Sequence, residues 1–168
     1  MPYPDDLLEQ ATHLARREPR RPRQASLRRA VSTAYYALFH LLISEATLNW
    51  KRSVQRPVMT RLFEHGKMKS ASEKQFAACK RIMNSKPPLV DGPEFHCIRH
   101  LIKVSEVFIL AQHLRHSADY DNAKIWRRTE VLSVIDDVTD AFQSWREIRE
   151  EPIAQDYLLS LLGNPKTN

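Results

Sequence analysis

Residues 27–42 read LRRAVSTAYYALFHLL, and this stretch decides the fold. Its apolar residues recur at intervals of three and four, the spacing that brings side chains to one face of an α-helix. They are Leu27, Ala30, Val31, Ala34, Ala37, Leu38, Leu41 and Leu42. The pattern predicts a long helix from about Arg23 to Asn49 that buries this face against other helices.

The same spacing continues between the prolines and glycines that interrupt the chain. It predicts further helices over 5–17, 57–64, 72–83, 93–115, 127–149 and 153–162. The stripe of the 93–115 helix comprises Ile98, Leu101, Ile102, Ser105, Phe108, Ile109 and Gln112. The stripe of the 127–149 helix comprises Val131, Val134, Ile135, Val138, Ala141, Phe142, Trp145 and Ile148. No stretch alternates apolar and polar residues between hairpin turns, so no sheet is expected.

Amphipathic helices with few glycines must bury their stripes against one another. The simplest arrangement is an all-α fold, an antiparallel four-helix bundle with additional short helices. The 168 residues are close to the usual size of one domain, so we expect a single domain over 1–168. Its core lies over about 23–150, with the helices at 5–17 and 153–162 as extensions.

Several sequence features indicate the cellular compartment of the protein. The longest apolar run, 37–43, is interrupted by His40 and is far shorter than the roughly 18 residues of a membrane span. The acidic start of the chain lacks the pattern of a secretory signal. Cys79 and Cys97 lack metal-site spacing and are expected to be reduced thiols. A cytoplasmic protein without membrane contact is predicted.

Positive charge is concentrated near the N-terminus. The chain has 26 Lys and Arg against 20 Asp and Glu, a balance that favours polyanionic partners. One short stretch contains Arg16, Arg17, Arg20, Arg21, Arg23, Arg28 and Arg29, with Glu18 as its single acid. These arginines are interpreted either as phosphate contacts to RNA or DNA, or as a solvated face that recruits an acidic partner.

Two short motifs resemble a known family. Residues 29–40 read RAVSTAYYALFH, similar to the A-Y-Y-A-x-F-H segment of HEPN domains, and residues 115–121 read RHSADYD. The second resembles the R-x-x-A-D-Y element of a small prokaryotic HEPN branch. Together they cover about 23–121. The resemblance implies an antiparallel helical bundle, frequently a homodimer, that works in toxin–antitoxin or defence modules beside a nucleotidyltransferase.

The resemblance carries over incompletely to the catalytic residues. Active HEPN ribonucleases have an R-x(4-6)-H motif, in which the Arg and His of two protomers cut RNA without a metal. Arg115 matches the Arg, but Tyr120 stands where the His is expected, next to Asp119. A tyrosine titrates near 10 and is a poor base at neutral pH. Tyr120, His116 released by a helix end near Arg115, or His40 would then have to move the proton.

Each candidate residue also has a structural reading. Arg115 and Asp119, four residues apart, form either a phosphate-binding pair or an internal ion pair that ends the helix. A group of aromatic residues either lines a nucleotide cleft, with Arg28 and Arg29 nearby, or packs in the core and the dimer interface. Packing in the core and the dimer interface is the favoured reading. This group comprises Tyr35, Tyr36, Phe39 and His40.

Metal chemistry has little support. His96 and His100 lie four residues apart on a predicted helix, a spacing that allows two imidazoles to share a metal, but no third ligand is evident. No metal and no other cofactor is therefore expected.

Two functions remain. The first is a HEPN-type RNA- or nucleotide-associated protein, a homodimer with Arg115 in a shared cleft and ribonuclease-like chemistry. The alternative is a noncatalytic helical binding module that pairs with a nucleotidyltransferase or another protein. The blandest reading is a structural dimer whose basic face has no dedicated ligand.

Overall fold

The protein is all-α in the computed structural model, which describes residues 2–163 and contains no strand among them. The fold class predicted from the apolar spacing is thereby confirmed. Its helices are α1 (Tyr3–Arg16), α2 (Gln24–Leu48), α3 (Arg56–Thr60), α4 (His65–Met83), α5 (Pro93–Tyr120), α6 (Arg128–Ile148) and α7 (Pro152–Ser160). A 3-10 turn, Ser53–Gln55, precedes α3.

Three predicted helix boundaries were wrong. Helix α3 ends at Thr60 rather than 64. Helix α4 begins at His65 rather than 72, because Gly66 lies in its first turn instead of separating two helices. Helix α5 continues to Tyr120 rather than ending at 115. Its hydrogen-bond ladder remains intact to the end, where the Asp121 amide donates to the Ser117 carbonyl at 3.0 Å.

The described chain divides into two compact units, and the division falls within α2, α5 and α6. The first unit comprises the chain up to Leu41 together with Val107–Phe142. The second comprises Leu42–Glu106 together with the chain from Gln143 onward. The single domain expected from the chain length stays a prediction.

In the first unit, the N-terminal part of α2 runs antiparallel to the C-terminal part of α5. Arg28 near the start of α2 reaches the carbonyl of Ala118 near the end of α5, whereas Tyr35 further along α2 meets Phe108 earlier in α5. All predicted stripe residues of α2 and α6 are buried, as the spacing indicated. This packing brings the two motif segments of the sequence into one unit.

Side chains at helix ends link the helices of this unit to one another. Arg128, the first residue of α6, donates to the carbonyls of Ala15 at 3.1 Å and Pro19 at 2.8 Å, which lack partners within α1. The side-chain amide of Gln24 accepts from the Trp126 backbone N–H and donates to its carbonyl, both at 2.9 Å. These contacts fix the turns that join α1 to α2 and α5 to α6.

The second unit has its own core. Tyr157 of α7 is fully buried, and its hydroxyl lies 2.8 Å from the Ser72 hydroxyl of α4. The Trp145 ring packs beside it, with centroids 6.4 Å apart. Cys79 and Cys97 are free buried thiols, as expected, and burial raises the pKa of both.

Helix α5 is buried over a wider arc than its predicted stripe. Val104, Val107 and Ala111 are buried although the spacing argument omitted them, whereas Ile102 and Ile109 are only half-buried. Despite this apolar character, no helix in residues 2–163 is long and apolar enough to cross a lipid bilayer.

Candidate functional site

The two motif segments meet in the first unit. Ser32 Oγ donates a 2.5 Å hydrogen bond to Asp119 Oδ1, although the two residues are 87 positions apart in sequence. The guanidinium of Arg115 lies over the Tyr35 ring, 5.4 Å from its centroid. We call Ser32, Tyr35, Arg115 and Asp119 the Arg115 cluster. The tyrosine-rich helix and the Arg115 segment are therefore neighbours in this unit.

Arg115 is the charged centre of this cluster. Its side chain is only 14% exposed, and its Nη1 lies 3.5 Å from Asp119 Oδ2, a long contact for an ion pair. Its Nε is buried and has no hydrogen-bond partner among residues 2–163. A guanidinium has five N–H donors. Asp119 occupies one of them weakly, so most of the hydrogen-bonding capacity of Arg115 is unused.

Asp119 positions the arginine. One carboxylate oxygen accepts from Ser32, and the other faces Arg115. The pair lies in the last turn of α5, so the structural reading of an ion pair at the helix end describes the geometry. A phosphate contact by Arg115 is compatible with the same arrangement and stays a prediction.

Tyr35 packs among other aromatic rings. Its side chain is completely buried, with the rings of Phe39 and Phe108 within 6 Å of its ring. Burial raises the pKa of its phenol, although the nearby Arg115 cation opposes the shift. Tyr35 therefore belongs to the core, the reading favoured from the sequence, and its nucleotide contact stays a prediction.

Tyr36 and His40 are half-buried on the same helix. The His40 ring contacts Tyr36, Phe39 and, at a centroid distance of 5.1 Å, Tyr3 of α1. Burial lowers the pKa of His40, so its neutral form is favoured. None of these contacts brings His40 to Arg115.

His116 and Tyr120 form a second pair on α5. Both are exposed, and their ring centroids are 4.9 Å apart. The helix end that was expected to release His116 beside Arg115 lies five residues later. As a result, His116 points about a quarter turn away from Arg115 around an intact helix. The exposed imidazole and phenol are neighbours of each other.

Arg28 has a structural role that the sequence did not indicate. Its guanidinium donates to the carbonyls of Ala118 at 2.9 Å and Lys124 at 2.7 Å. It thus caps the C-terminal end of α5 and holds the turn that follows. Because these donors are occupied, the prediction that Arg28 binds nucleic acid conflicts with its contacts, whereas Arg29 is exposed and accessible.

The remaining N-terminal arginines face solvent. Arg16, Arg17, Arg20, Arg21 and Arg23 are all exposed.

Glu18 lies among these arginines. Partial burial opposes its charge, but hydrogen bonds from the Ser26 hydroxyl and the Arg23 N–H, with Arg17 nearby, keep the pKa of Glu18 below its usual range. This carboxylate is a fixed part of the turn between α1 and α2. The arginines around it stay available to an anionic partner.

The histidines considered as metal ligands show no metal geometry. His96 Nε2 lies 3.0 Å from Asp91 Oδ1, and a pocket of about 290 Å³ beside it is lined also by Arg99, His100 and Lys103. Neighbouring cations disfavour a metal ion. In residues 2–163, no group of three or more His, Cys, Asp or Glu side chains has the geometry of a metal site.

An exposed apolar row in the second unit was missed in the sequence. It comprises Leu48, Trp50, Val54, Val58 and Leu62, which are between 45% and 78% exposed. Four of them, Trp50, Val54, Val58 and Leu62, recur every four residues, a signal that is visible in the sequence. We call these five residues the exposed apolar row. Apolar side chains of this size grouped at a surface are typical of interaction sites.

Basic residues surround this row. Four cations alternate with its members along the sequence: Lys51, Arg52, Arg56 and Arg61. No Asp or Glu occurs from 46 to 63. Arg56 also donates to the Trp50 carbonyl at 3.1 Å, which holds the start of the row in place. The surface combines apolar contacts with positive charge.

The chain was compared with protein-family models, with curated proteins and with solved structures, and none of them matches it.

Proposed function

We propose that this protein is a HEPN-type RNA-associated protein of a prokaryotic toxin–antitoxin or defence module, working in the cytoplasm as a homodimer. Arg115 contacts a phosphate of the RNA. The observation that supports this function is the contact between the two motif segments, through Ser32 with Asp119 and Tyr35 with Arg115. Each motif is short, and their meeting in space is an independent reason to consider them together.

The chemistry of Arg115 suits a phosphate. A guanidinium matches two phosphate oxygens with two parallel N–H groups. Asp119 and the Tyr35 ring limit its orientations, so little side-chain entropy is lost when an anion binds. The small exposure of Arg115 also reduces screening by water, which strengthens its interaction with a phosphate charge.

The same proposal includes metal-independent cleavage of RNA. The 2′-hydroxyl attacks the adjacent phosphorus, the bond to the 5′-oxygen breaks, and the products are a 2′,3′-cyclic phosphate and a 5′-hydroxyl. His116 accepts the proton of the 2′-hydroxyl, and Tyr120 donates a proton to the leaving oxygen. Arg115 stabilises the charge on the phosphorane. Because His116 points away from Arg115 within one chain, the His116 and Tyr120 that act on this phosphate belong to the other protomer of the homodimer. The exposed His116 and Tyr120 reach the RNA together because their rings are adjacent.

A cleavage assay tests this function. The purified protein is incubated with mixed single-stranded RNA in EDTA, next to Arg115→Ala, Arg115→Lys and His116→Ala, with Arg29→Ala as an exposed-arginine control. We expect cyclic-phosphate products from the wild type and from Arg29→Ala, and a loss of at least roughly a hundredfold for Arg115→Ala. Equal cleavage by wild type and Arg115→Ala, or none by either, removes the enzymatic role of Arg115.

A second function is favoured by the exposed apolar row. In this proposal the protein is a noncatalytic module that docks an acidic protein, with the neighbouring nucleotidyltransferase as the partner that the HEPN resemblance suggests. Charge complementarity supports this occupant, since the segment 46–63 that contains the row has four cations and no acid. A second copy of the chain would place these cations against one another.

Co-expression with a nucleotidyltransferase encoded beside the gene tests docking. The variant Val58→Glu should lose the complex on size-exclusion chromatography, because it places an acid within the apolar contact. Val90→Glu is the matched control, since Val90 is 81% exposed and lies outside the row. A complex that survives Val58→Glu contradicts this proposal. Loss of a homodimer in that variant would instead identify the row as the dimer surface.

A further inference from the structure

A basic groove lies in the second unit, between α4 and the end of α7. It has a volume of about 590 Å³ and includes Ser160 and Gly163 on the α7 side. On the α4 side, Lys67, Lys74 and Arg81 all line it. We call this the α4 groove. It shares no residue with the Arg115 cluster or with the exposed apolar row.

The spacing of the three cations gives the groove a direction. They are seven residues apart, close to two full helical turns, so they lie along one face of α4. A rise of 1.5 Å per residue separates consecutive cations by about 10 Å and the outer pair by about 21 Å. Between them the face carries small residues, Ser70, Ala71 and Ala78. A linear ligand can therefore lie along the helix beside all three cations.

The positive charge of the groove is largely uncompensated. Lys74 and Arg81 are exposed, and neither has an acidic partner within the described part of the chain. Lys67 Nζ lies 2.6 Å from Glu64 Oε1, on an exposed pair that a competing anion can replace. The carboxylate of Glu73 faces Lys69, at 3.7 Å. The groove thus presents two free cations and one exchangeable cation in a row.

We infer that the α4 groove binds the phosphate backbone of a single-stranded nucleic acid. A row of cations along a channel matches a chain of evenly spaced charges. The floor contains alanine and serine rather than a deep apolar pocket, so an acidic protein segment would find no anchor for its apolar side chains. Binding there is independent of sequence, because none of the described residues that line the groove has an aromatic ring to stack on a base.

Fluorescence anisotropy tests this inference with a labelled oligothymidylate of about ten nucleotides, within the site sizes of single-strand binders. DNA lacks the 2′-hydroxyl, so the probe reports binding without cleavage. We expect Lys74→Glu/Arg81→Glu to bind at least roughly tenfold more weakly at low salt. Arg99→Glu/Arg127→Glu changes two exposed cations outside the groove by the same charge, and its affinity should stay within about threefold of wild type.

Salt dependence separates a contact from a general charge effect. Loss of two phosphate contacts should reduce the slope of log K against log salt by about 1.4. The milder Lys74→Ala/Arg81→Ala, with a helical circular dichroism spectrum, should show the same reduction. Equal weakening by the groove and control variants overturns the inference. Displacement of the probe by polyglutamate at equal charge would assign the groove to acidic proteins instead.

The outcome is also distinguishable from that of the cleavage proposal. Arg115→Ala should bind oligothymidylate with at least about a third of the wild-type affinity, because the α4 groove is intact. RNA cleavage that depends on Arg115, together with no effect of the groove variants on oligothymidylate binding, would leave the cleavage proposal standing and overturn this one.

Discussion

Ser32 on α2 and Asp119 on α5 are joined by a 2.5 Å hydrogen bond between Oγ and Oδ1. The same carboxylate faces Arg115 through its other oxygen. Asp119 therefore connects the tyrosine-rich helix to the arginine, and the three side chains behave as one unit. A substitution of Ser32 should therefore change the position of the Arg115 side chain through Asp119.

Replacement of Ser32 by alanine should lower the free energy of unfolding by about 1.5 kcal/mol, since a hydrogen bond to a charged group is lost. Urea denaturation measures this change. Ser44→Ala is the matched control, because Ser44 is exposed on the same helix, and its effect should stay within about 0.5 kcal/mol. Equal effects of the two substitutions would show that the bond contributes nothing.

Arg128 should be intolerant even of lysine. Its guanidinium donates to the carbonyls of Ala15 and Pro19 at once, and an ammonium group cannot reproduce this forked geometry. We expect Arg128→Lys to lose about 2 kcal/mol of unfolding free energy. Arg127→Lys, at the exposed neighbouring position, should be nearly neutral. A thermal midpoint for Arg128→Lys equal to that of Arg127→Lys would contradict the capping role.

Glu18 should make stability depend on acid pH. Its pKa in the folded protein is lowered from the usual 4.5, because the Ser26 and Arg23 hydrogen bonds outweigh the opposing burial. The ionised form thus contributes stability above the usual pKa, and this contribution is lost as the pH falls below about 4.5 towards the folded pKa.

Unfolding curves recorded between about pH 5 and pH 3 check this sign. Glu18→Gln should show a smaller fall in stability over that interval than wild type, and Ser26→Ala should lie between the two. If all three proteins lose the same free energy of unfolding on acidification, the hydrogen bonds of Glu18 do not lower its pKa.

Tyr157→Phe should cost about 1 kcal/mol, because the ring stays in place and only the hydrogen bond to Ser72 is lost. Tyr120→Phe, at a position that is 67% exposed, should change stability by less than about 0.5 kcal/mol. Burial also raises the pKa of Tyr157, so the variant should lack one late-ionising phenol in an alkaline absorbance titration. A gain of stability in Tyr157→Phe would argue against a favourable bond.

Much of the fold could be predicted from apolar spacing, since helices α2 and α6 bury every residue of their predicted stripes. The burial of Tyr35 was implicit there as well, because it is four residues after Val31 and three before Leu38. The end of α5 could not be predicted locally. The polar run after Arg115 resembles a helix end, and its support comes from Arg28, 90 positions earlier in the chain.

The site was predictable in part. The two motifs lie on the helices that meet, α2 and α5, but spacing alone does not show which hydrogen-bond donors are already used. Arg28 and Arg29 look equivalent in the sequence, yet one is bound to two carbonyls and the other is exposed. The exposed apolar row had a visible repeat, but whether an apolar repeat is buried depends on what the rest of the chain packs against it.

The most direct measurement is the NMR signal of the Arg115 Nε–H group during titration with a uridine dinucleotide. One phosphodiester cannot span the α4 groove, so the probe reports the Arg115 cluster. The signal is assigned by its loss in Arg115→Lys. We expect the Arg115 signal to shift before those of exposed arginines such as Arg29. An unchanged Arg115 signal, at a concentration where other arginine signals respond, would contradict it.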